Sequence, residues 1–156
     1  MRINKNMKLE APLHIIGIAI RTTNENGQSA KDIPALWNEF ISGNKAAGIP
    51  GKTSNDIYCV YTDYEKDYTR PYTTVLGCAV HSLENIPAGY TGITIPDGNY
   101  QPFTANGNIL EGIVFNTWQT IWNTPINRAY LADFEVYGAK ATNPMQAEVD
   151  IFVGIK

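Results

Sequence analysis

Positive charge is thin and scattered along this chain. Its 156 residues hold twelve Lys and Arg against fifteen Asp and Glu, for a formal net charge of −3, and the basic residues form no cluster. Phosphate backbones and anionic bilayers are gripped by clustered Lys and Arg, so neither nucleic acid nor a membrane surface is an expected partner. Long apolar runs are missing too. The longest extends from Ile15 to Ile20, far short of the roughly 20 residues a helix needs to cross a bilayer. Met1 to Lys8 is polar and lacks the apolar centre of a secretory leader. The compartment reads as cytoplasm.

Cysteine and histidine are scarce. Cys59 and Cys78 lie in apolar, strand-like runs and have no metal-type spacing. A buried free thiol is the usual state of such residues. The alternative, a cross-strand disulfide between hairpin neighbours, is disfavoured in a reducing compartment. His14 and His81 are isolated from each other and from any acid or Cys at ligand spacing, so no metal site and no catalytic triad are expected. There is no P-loop, dinucleotide fingerprint or nucleophile elbow, and no cofactor is implied.

What the chain does have is rings. Nine Tyr, five Phe and three Trp occur in a sequence that is 44% hydrophobic and 17% charged. That composition and length suit one domain over residues 1–156, with a core that needs no metal or disulfide. Its organisation repeats. A strand from His14 to Arg21 leads through a polar loop to Ser29-Ala30-Lys31-Asp32, which opens a helix in the manner of a capping box. Ile33, Leu36, Trp37, Phe40 and Ile41 then form one apolar helix face. Strands from Ile57 to Tyr64 and from Tyr72 to Leu83 follow.

The second half runs through Ile93 to Ile95, a turn at Pro96-Asp97-Gly98 and a strand from Asn99 to Thr104. A second capping box at Asn108 to Glu111 starts a helix carrying Val114, Trp118, Ile121 and Trp122, which Asn123-Thr124-Pro125 stops. Strands Arg128–Gly138 and Glu148–Ile155 complete it. The predicted architecture is α+β: two β-α-β-β units, about 8–85 and 91–156, related by a pseudo-twofold axis, with antiparallel sheets, two helices and a central cleft. The caps Ser29 and Asn108 lie 79 positions apart, an offset that also carries Asp56-Ile57-Tyr58 onto Glu135-Val136-Tyr137.

Glu135 is the leading candidate for a functional residue. It sits inside the strand-like run from Tyr130 to Tyr137, where Glu is disfavoured unless it faces water or meets a partner. Alternation places Leu131, Asp133, Glu135 and Tyr137 on one face, with Tyr130, Phe134 and Val136 on the other. A carboxylate sits badly beneath a helix bearing Trp118, Ile121 and Trp122, so Glu135 is expected on the face away from the helices. A Glu hydrogen-bonded to Tyr or to Arg128 is the alternative. Among the tyrosines of the strands and loops, Tyr58, Tyr61, Tyr100 and Tyr137 are candidate ring donors for a bound cation. Trp37 and Trp118 lie on apolar helix faces, core positions whose edges could still reach the cleft.

Several segments together resemble one family. They are Ile33-Pro34-Ala35-Leu36-Trp37-Asn38-Glu39-Phe40, Tyr58-Cys59-Val60-Tyr61-Thr62-Asp63-Tyr64-Glu65, Ile95-Pro96-Asp97-Gly98-Asn99-Tyr100-Gln101-Pro102-Phe103, the pair Trp118 and Trp122, and Asp133-Phe134-Glu135-Val136-Tyr137. In that order, from about Lys8 to Lys156, the chain resembles the effector-binding, or gyrase-inhibitor-like, domain of AraC-type and MerR-type multidrug regulators. It is similar in particular to the stand-alone, integron-cassette-associated type. The resemblance implies a duplicated β-α-β-β fold and a cleft for lipophilic, amphipathic cations. It implies Glu135 as the receiving carboxylate, with Tyr58, Tyr61, Tyr100, Phe103, Tyr137, Trp37 and Trp118 as candidate lining. No helix-turn-helix segment precedes the domain in this sequence, so a drug-sensing role would need a separate DNA-binding or regulatory partner. Two other implied roles stay open: hydrolysis of reactive small molecules by the same Glu, and a gyrase-type protein interaction.

Overall fold

The computed structural model describes residues 8–156; the polar segment 1–7, read above as no secretory leader, lies outside the described residues. Runs rich in Ile, Val, Thr and Tyr suit a pleated sheet, and they form β2 (Leu13–Thr22), β3 (Ile57–Thr62), β4 (Tyr72–Val80), β7 (Arg128–Tyr137) and β8 (Ala147–Ile155). With β1 (Lys8–Leu9), β5 (Thr91–Ile95) and β6 (Gly98–Gly107) they pair antiparallel in the order β1-β6-β8-β7-β3-β4-β2-β5. The expected strand ends shift slightly. β3 stops at Thr62 because Asp63 turns left-handed at φ 50.

The order shows two interlocked units. β2, β4 and β3 form one half and β6, β8 and β7 the other, and β3 and β7 meet at the centre. Each unit sends its leading strand across: β1 pairs with β6, while β5 pairs with β2. Helix α1 (Ser29–Ser42) packs on β2 and β4, and α2 (Ile113–Trp122) on β6.

Both helices cover the same face of the sheet. Leu36 and Phe40 of α1 join Ile16, Ile18, Cys59 and Leu76, while Trp118 and Ile121 of α2 join Ala105, Val149, Ile151 and Val153. The other face is a filled core. The sheet curls until Leu9 and Tyr100 from one end and Ile15 and Ile95 from the other share a cluster with Tyr58, Val60, Phe134 and Phe152. Opposed glycines tighten the curl. Gly17 pairs with Gly77, and a Cβ on Gly77 would lie 2.2 Å from the Ile16 carbonyl oxygen.

Three local expectations are corrected. Ser29 makes no capping box, because a 3-10 turn over Glu25–Gly27 runs directly into α1. Ser29 instead donates to Asn24 Oδ1 at 2.8 Å, and Asp32 accepts from Thr22 and Gln28. Asn108 does cap, accepting from the Leu110 amide, but it caps a 3-10 turn (Ile109–Glu111) that ends at left-handed Gly112 before α2 begins. That extra turn spoils the uniform offset of 79. Cys59 and Glu135, like Tyr61 and Tyr137, are 76 residues apart, whereas Trp37 and Trp118 are 81 apart. Ile41 also leaves the apolar face of α1, being 58% exposed.

Candidate functional site

Glu135 lies in the middle of the sheet, directly opposite Cys59 on β3 and Ile151 on β8. It is on the helix face, which overturns the placement expected from sequence. The reason is chemical: the indole of Trp118 brings an N–H as well as an apolar ring, and Nε1 donates to Glu135 Oε2 at 2.6 Å. The Tyr61 hydroxyl donates to the same oxygen at 2.8 Å, and the Tyr137 hydroxyl to Oε1 at 2.7 Å. The Cys59 thiol donates to the Tyr61 oxygen at 3.4 Å.

Tyr61 and Tyr137 stand two residues beyond Cys59 and Glu135, at matching places in the two units. Each is met edge-on by the Trp of a different helix: Trp37 reaches Tyr137 with ring centroids 4.7 Å apart, and Trp118 reaches Tyr61 at 5.4 Å. The cleft between α1 and α2 is thus filled by four rings around one carboxylate, and Glu135 is only 1% exposed. One open surface hollow lies beside Lys140 and Glu148 and a smaller one beside Asp97 and Gly98. Glu135 lines neither.

Among the described residues no Lys, Arg or His forms an ion pair with Glu135. Burial pushes its pKa up, and the hydrogen bonds from Tyr137, Trp118 and Tyr61 pull back against that. Tyr61 and Tyr137 are themselves pushed well above the usual phenol range, first by burial and then by the neighbouring acidic groups Cys59 and Glu135. They therefore stay neutral and keep a proton to donate. Burial and Glu135 likewise hold the Cys59 thiol up, and both cysteines are free.

A second buried acid, Asp133, shares this face and is provided for quite differently. Arg128 Nη2 donates to its Oδ2 at 2.7 Å, Tyr64 donates to the same oxygen at 2.5 Å, and the Gly154 amide donates to Oδ1 at 2.8 Å. The sequence alternative that paired Arg128 with Glu135 is therefore corrected: its carboxylate partner is Asp133. A bulge achieves this. The β7/β8 register shifts between Arg128 and Asp133, and Tyr130 within it is left-handed at φ 53. Burial disfavours the Arg128 charge, but Asp133 beside it outweighs that.

Five of the residues singled out by sequence meet at the site: Glu135, Tyr61, Tyr137, Trp118 and Trp37. Tyr58 and Tyr100 do not. Both lie on the opposite face, where they pack on Phe134 at 6.3 and 5.4 Å, because Tyr58 pairs with Val136 rather than standing beside Glu135. Phe103 is on the helix face but packs around α2, opposite Ile151. Sequence reading missed the ring of aromatics around Arg128, formed by Tyr68, Tyr130 and Trp118. The only available signal was Asp133, an acid two residues from Glu135 and so on its face.

Residues 10–155 match the Cass2 family of integron-associated effector binding proteins, and the chain belongs to that family. It is 31% identical over 144 residues to YobU of Bacillus subtilis (strain 168), described as a candidate transcriptional regulator, with 90% of each chain covered. In structure it is similar to an integron cassette protein from the mobile metagenome of Vibrio cholerae, with a TM-score of 0.73, 27% identity, and 96% and 93% of the two chains covered. It also shares its fold with SAV2435, whose structure was determined bound to tetraphenylphosphonium. That match has a TM-score of 0.75 at 19% identity, covering 96% and 91% of the chains. No helix among the described residues is long and apolar enough to cross a membrane.

Proposed function

We propose that this member of the family binds lipophilic organic cations between α1 and α2, with Glu135 as the charge that selects them. One observation carries the reading: a carboxylate 1% exposed and held by three neutral donors, with no cationic partner among the described residues. A buried anion in a low dielectric attracts a cation far more strongly than an exposed one. Stripping hydration from a carboxylate is costly, so a site that keeps one dry and unpaired is suited to a guest that supplies the charge.

The rings supply the remainder. The rings of Trp37, Tyr61, Trp118 and Tyr137 cluster around Glu135, and an aromatic face offered to a cation adds about 0.5–2 kcal/mol, more as the site is desolvated. A large apolar cation would replace ring–ring contacts with ring–guest contacts at little net loss of buried surface. That a protein of the same fold holds tetraphenylphosphonium supports the reading. Membership of an effector-binding family supports a sensing role, in which a separate regulatory protein responds to the occupied state. Binding is favoured over hydrolysis because both Glu135 oxygens already accept hydrogen bonds, which blunts a nucleophile or base.

Titration of tetraphenylphosphonium against wild type and Glu135→Gln tests this directly. Loss of the charge should weaken binding by about tenfold or more, as hydrogen-bonded or paired charges usually contribute. Equal affinities would remove Glu135 from the account.

A further inference from the structure

Among the described residues Arg128 is the one buried cation, and it is incompletely used. Its side chain is 5% exposed, and Nη2 serves Asp133. Nε and Nη1 are buried and have no hydrogen-bond partner. The guanidinium lies 4.3 Å from the ring centroid of Tyr130, 5.7 Å from Trp118 and 6.0 Å from Tyr68, so aromatic rings stand where acceptors would be. Buried donors on a charged group are costly to leave unmet. With Asp133 already neutralising the charge, what they lack is an oxygen lone pair, not a counter-ion.

Trp118 ties this group to Glu135. Its indole N–H is given to the carboxylate, while the guanidinium sits beside the same ring. A guest that displaces or slides along Trp118 therefore meets both groups. The covering ring on the far side is held by a side-chain contact alone. Tyr68 sits on the segment between β3 and β4 and lies flat on Trp122, with centroids 5.1 Å apart and planes 7° apart, a contact between side chains and not part of the sheet.

We propose that Arg128 forms an acceptor subsite beside the cation seat, so that the preferred guests are lipophilic cations that also carry a carbonyl-type oxygen. The cationic centre goes to Glu135 and the oxygen takes the free N–H groups of Arg128, one on either side of Trp118. This rests on the cation reading above and adds a second recognition element to it. It predicts discrimination among cations of equal charge and greasiness, which a carboxylate and rings alone would not give.

The test uses two series of alkyltriphenylphosphonium cations over a range of short chain lengths, one with plain alkyl chains and one with the same chains ending in a methyl ester. Affinities are measured for wild type, for Arg128→Lys, and for Arg128→Met combined with Asp133→Asn, which removes both charges together; circular dichroism and thermal melting check that each variant is folded. At one chain length or more, the ester should bind wild type about tenfold tighter than its alkyl counterpart, the usual scale of a hydrogen bond to a charged donor. Both variants should lose that gain and keep the alkyl affinity. If no chain length shows a gain, or the gain survives in both variants, the subsite is overturned and the free donors serve ordered water only. Failure of both series to bind wild type, or equal binding of the alkyl series to Glu135→Gln, would instead overturn the cation reading itself and the subsite with it.

Discussion

Cys59 and Glu135 face each other across the central strand pair, each at the equivalent place in its own unit, a thiol opposite a carboxyl group. The surrounding rings repeat about the same axis, with Tyr61 and Trp118 answering Tyr137 and Trp37. A near-symmetric cage thus holds an asymmetric centre. Two carboxylates at these positions would share one proton, since like charges so close do not both ionise. A thiol whose pKa is pushed up by burial and by Glu135 leaves the cage with a single acid.

The charge should cost stability. Burial raises the Glu135 pKa above that of an unfolded Glu, so the folded state binds its proton more tightly. For a raised acid the penalty is absent below the ordinary Glu range, about pH 4, and grows as pH rises towards the folded pKa. Glu135→Gln should therefore melt at a higher temperature than wild type near pH 8, with the gap closing towards pH 4. The amide fits: its oxygen can accept from Tyr61 and Trp118, while its NH₂ donates to a rotated Tyr137 hydroxyl. A less stable Gln variant at pH 8 would mean that the donors outweigh desolvation.

Removing one donor should do the reverse. Tyr61→Phe or Tyr137→Phe deletes a hydrogen bond to the carboxylate and should cost about 1–3 kcal/mol at neutral pH. Each lost donor raises the Glu135 pKa further, so the cost should be larger near pH 8 than near pH 5. Urea unfolding at both pH values measures it. Equal losses would separate these hydroxyls from the charge.

The Asp133 centre should behave as a coupled unit. Arg128→Met alone leaves a fully buried Asp133 carboxylate without its cation and should cost about 3–5 kcal/mol. Adding Asp133→Asn should recover part of that loss. Additive single-variant effects in a double-mutant cycle would show that the two side chains do not sense each other.

Tyr100 offers the contrasting control. Its hydroxyl donates to the Pro96 carbonyl at 2.6 Å on the face away from Glu135. Tyr100→Phe should cost about 1 kcal/mol of stability and leave tetraphenylphosphonium affinity unchanged. A weakened affinity would place the guest on the wrong side of the sheet.

Much of the fold was legible because period and punctuation are local properties. The bounds of β7 and β8 and the helical spacing of Leu36 and Phe40 carry over into the structure almost residue for residue. Alternation also grouped Asp133, Glu135 and Tyr137 correctly, but it says only which residues share a face. Which face the helices choose depends on what Trp118 can offer, and reading it as apolar bulk hid its N–H. Tyr58 enters the candidate list from the segment that carries the family resemblance, whereas the strand repeat of 76 makes Tyr61 the counterpart of Tyr137. The Arg128 centre was out of reach for a different reason. A bulge with a left-handed Tyr130 breaks the count of two on which any facing argument depends.

The exchange of β1 and β5 gives the molecule a mechanical character that neither half has separately. Because each half finishes the other's rim, a break in the connection near residue 85 would leave two fragments still clasped, like linked hands whose arms have been cut apart. Guest-driven spreading of the helices would then be resisted at both rims at once, and the protein would yield by loosening its rings before its halves came apart.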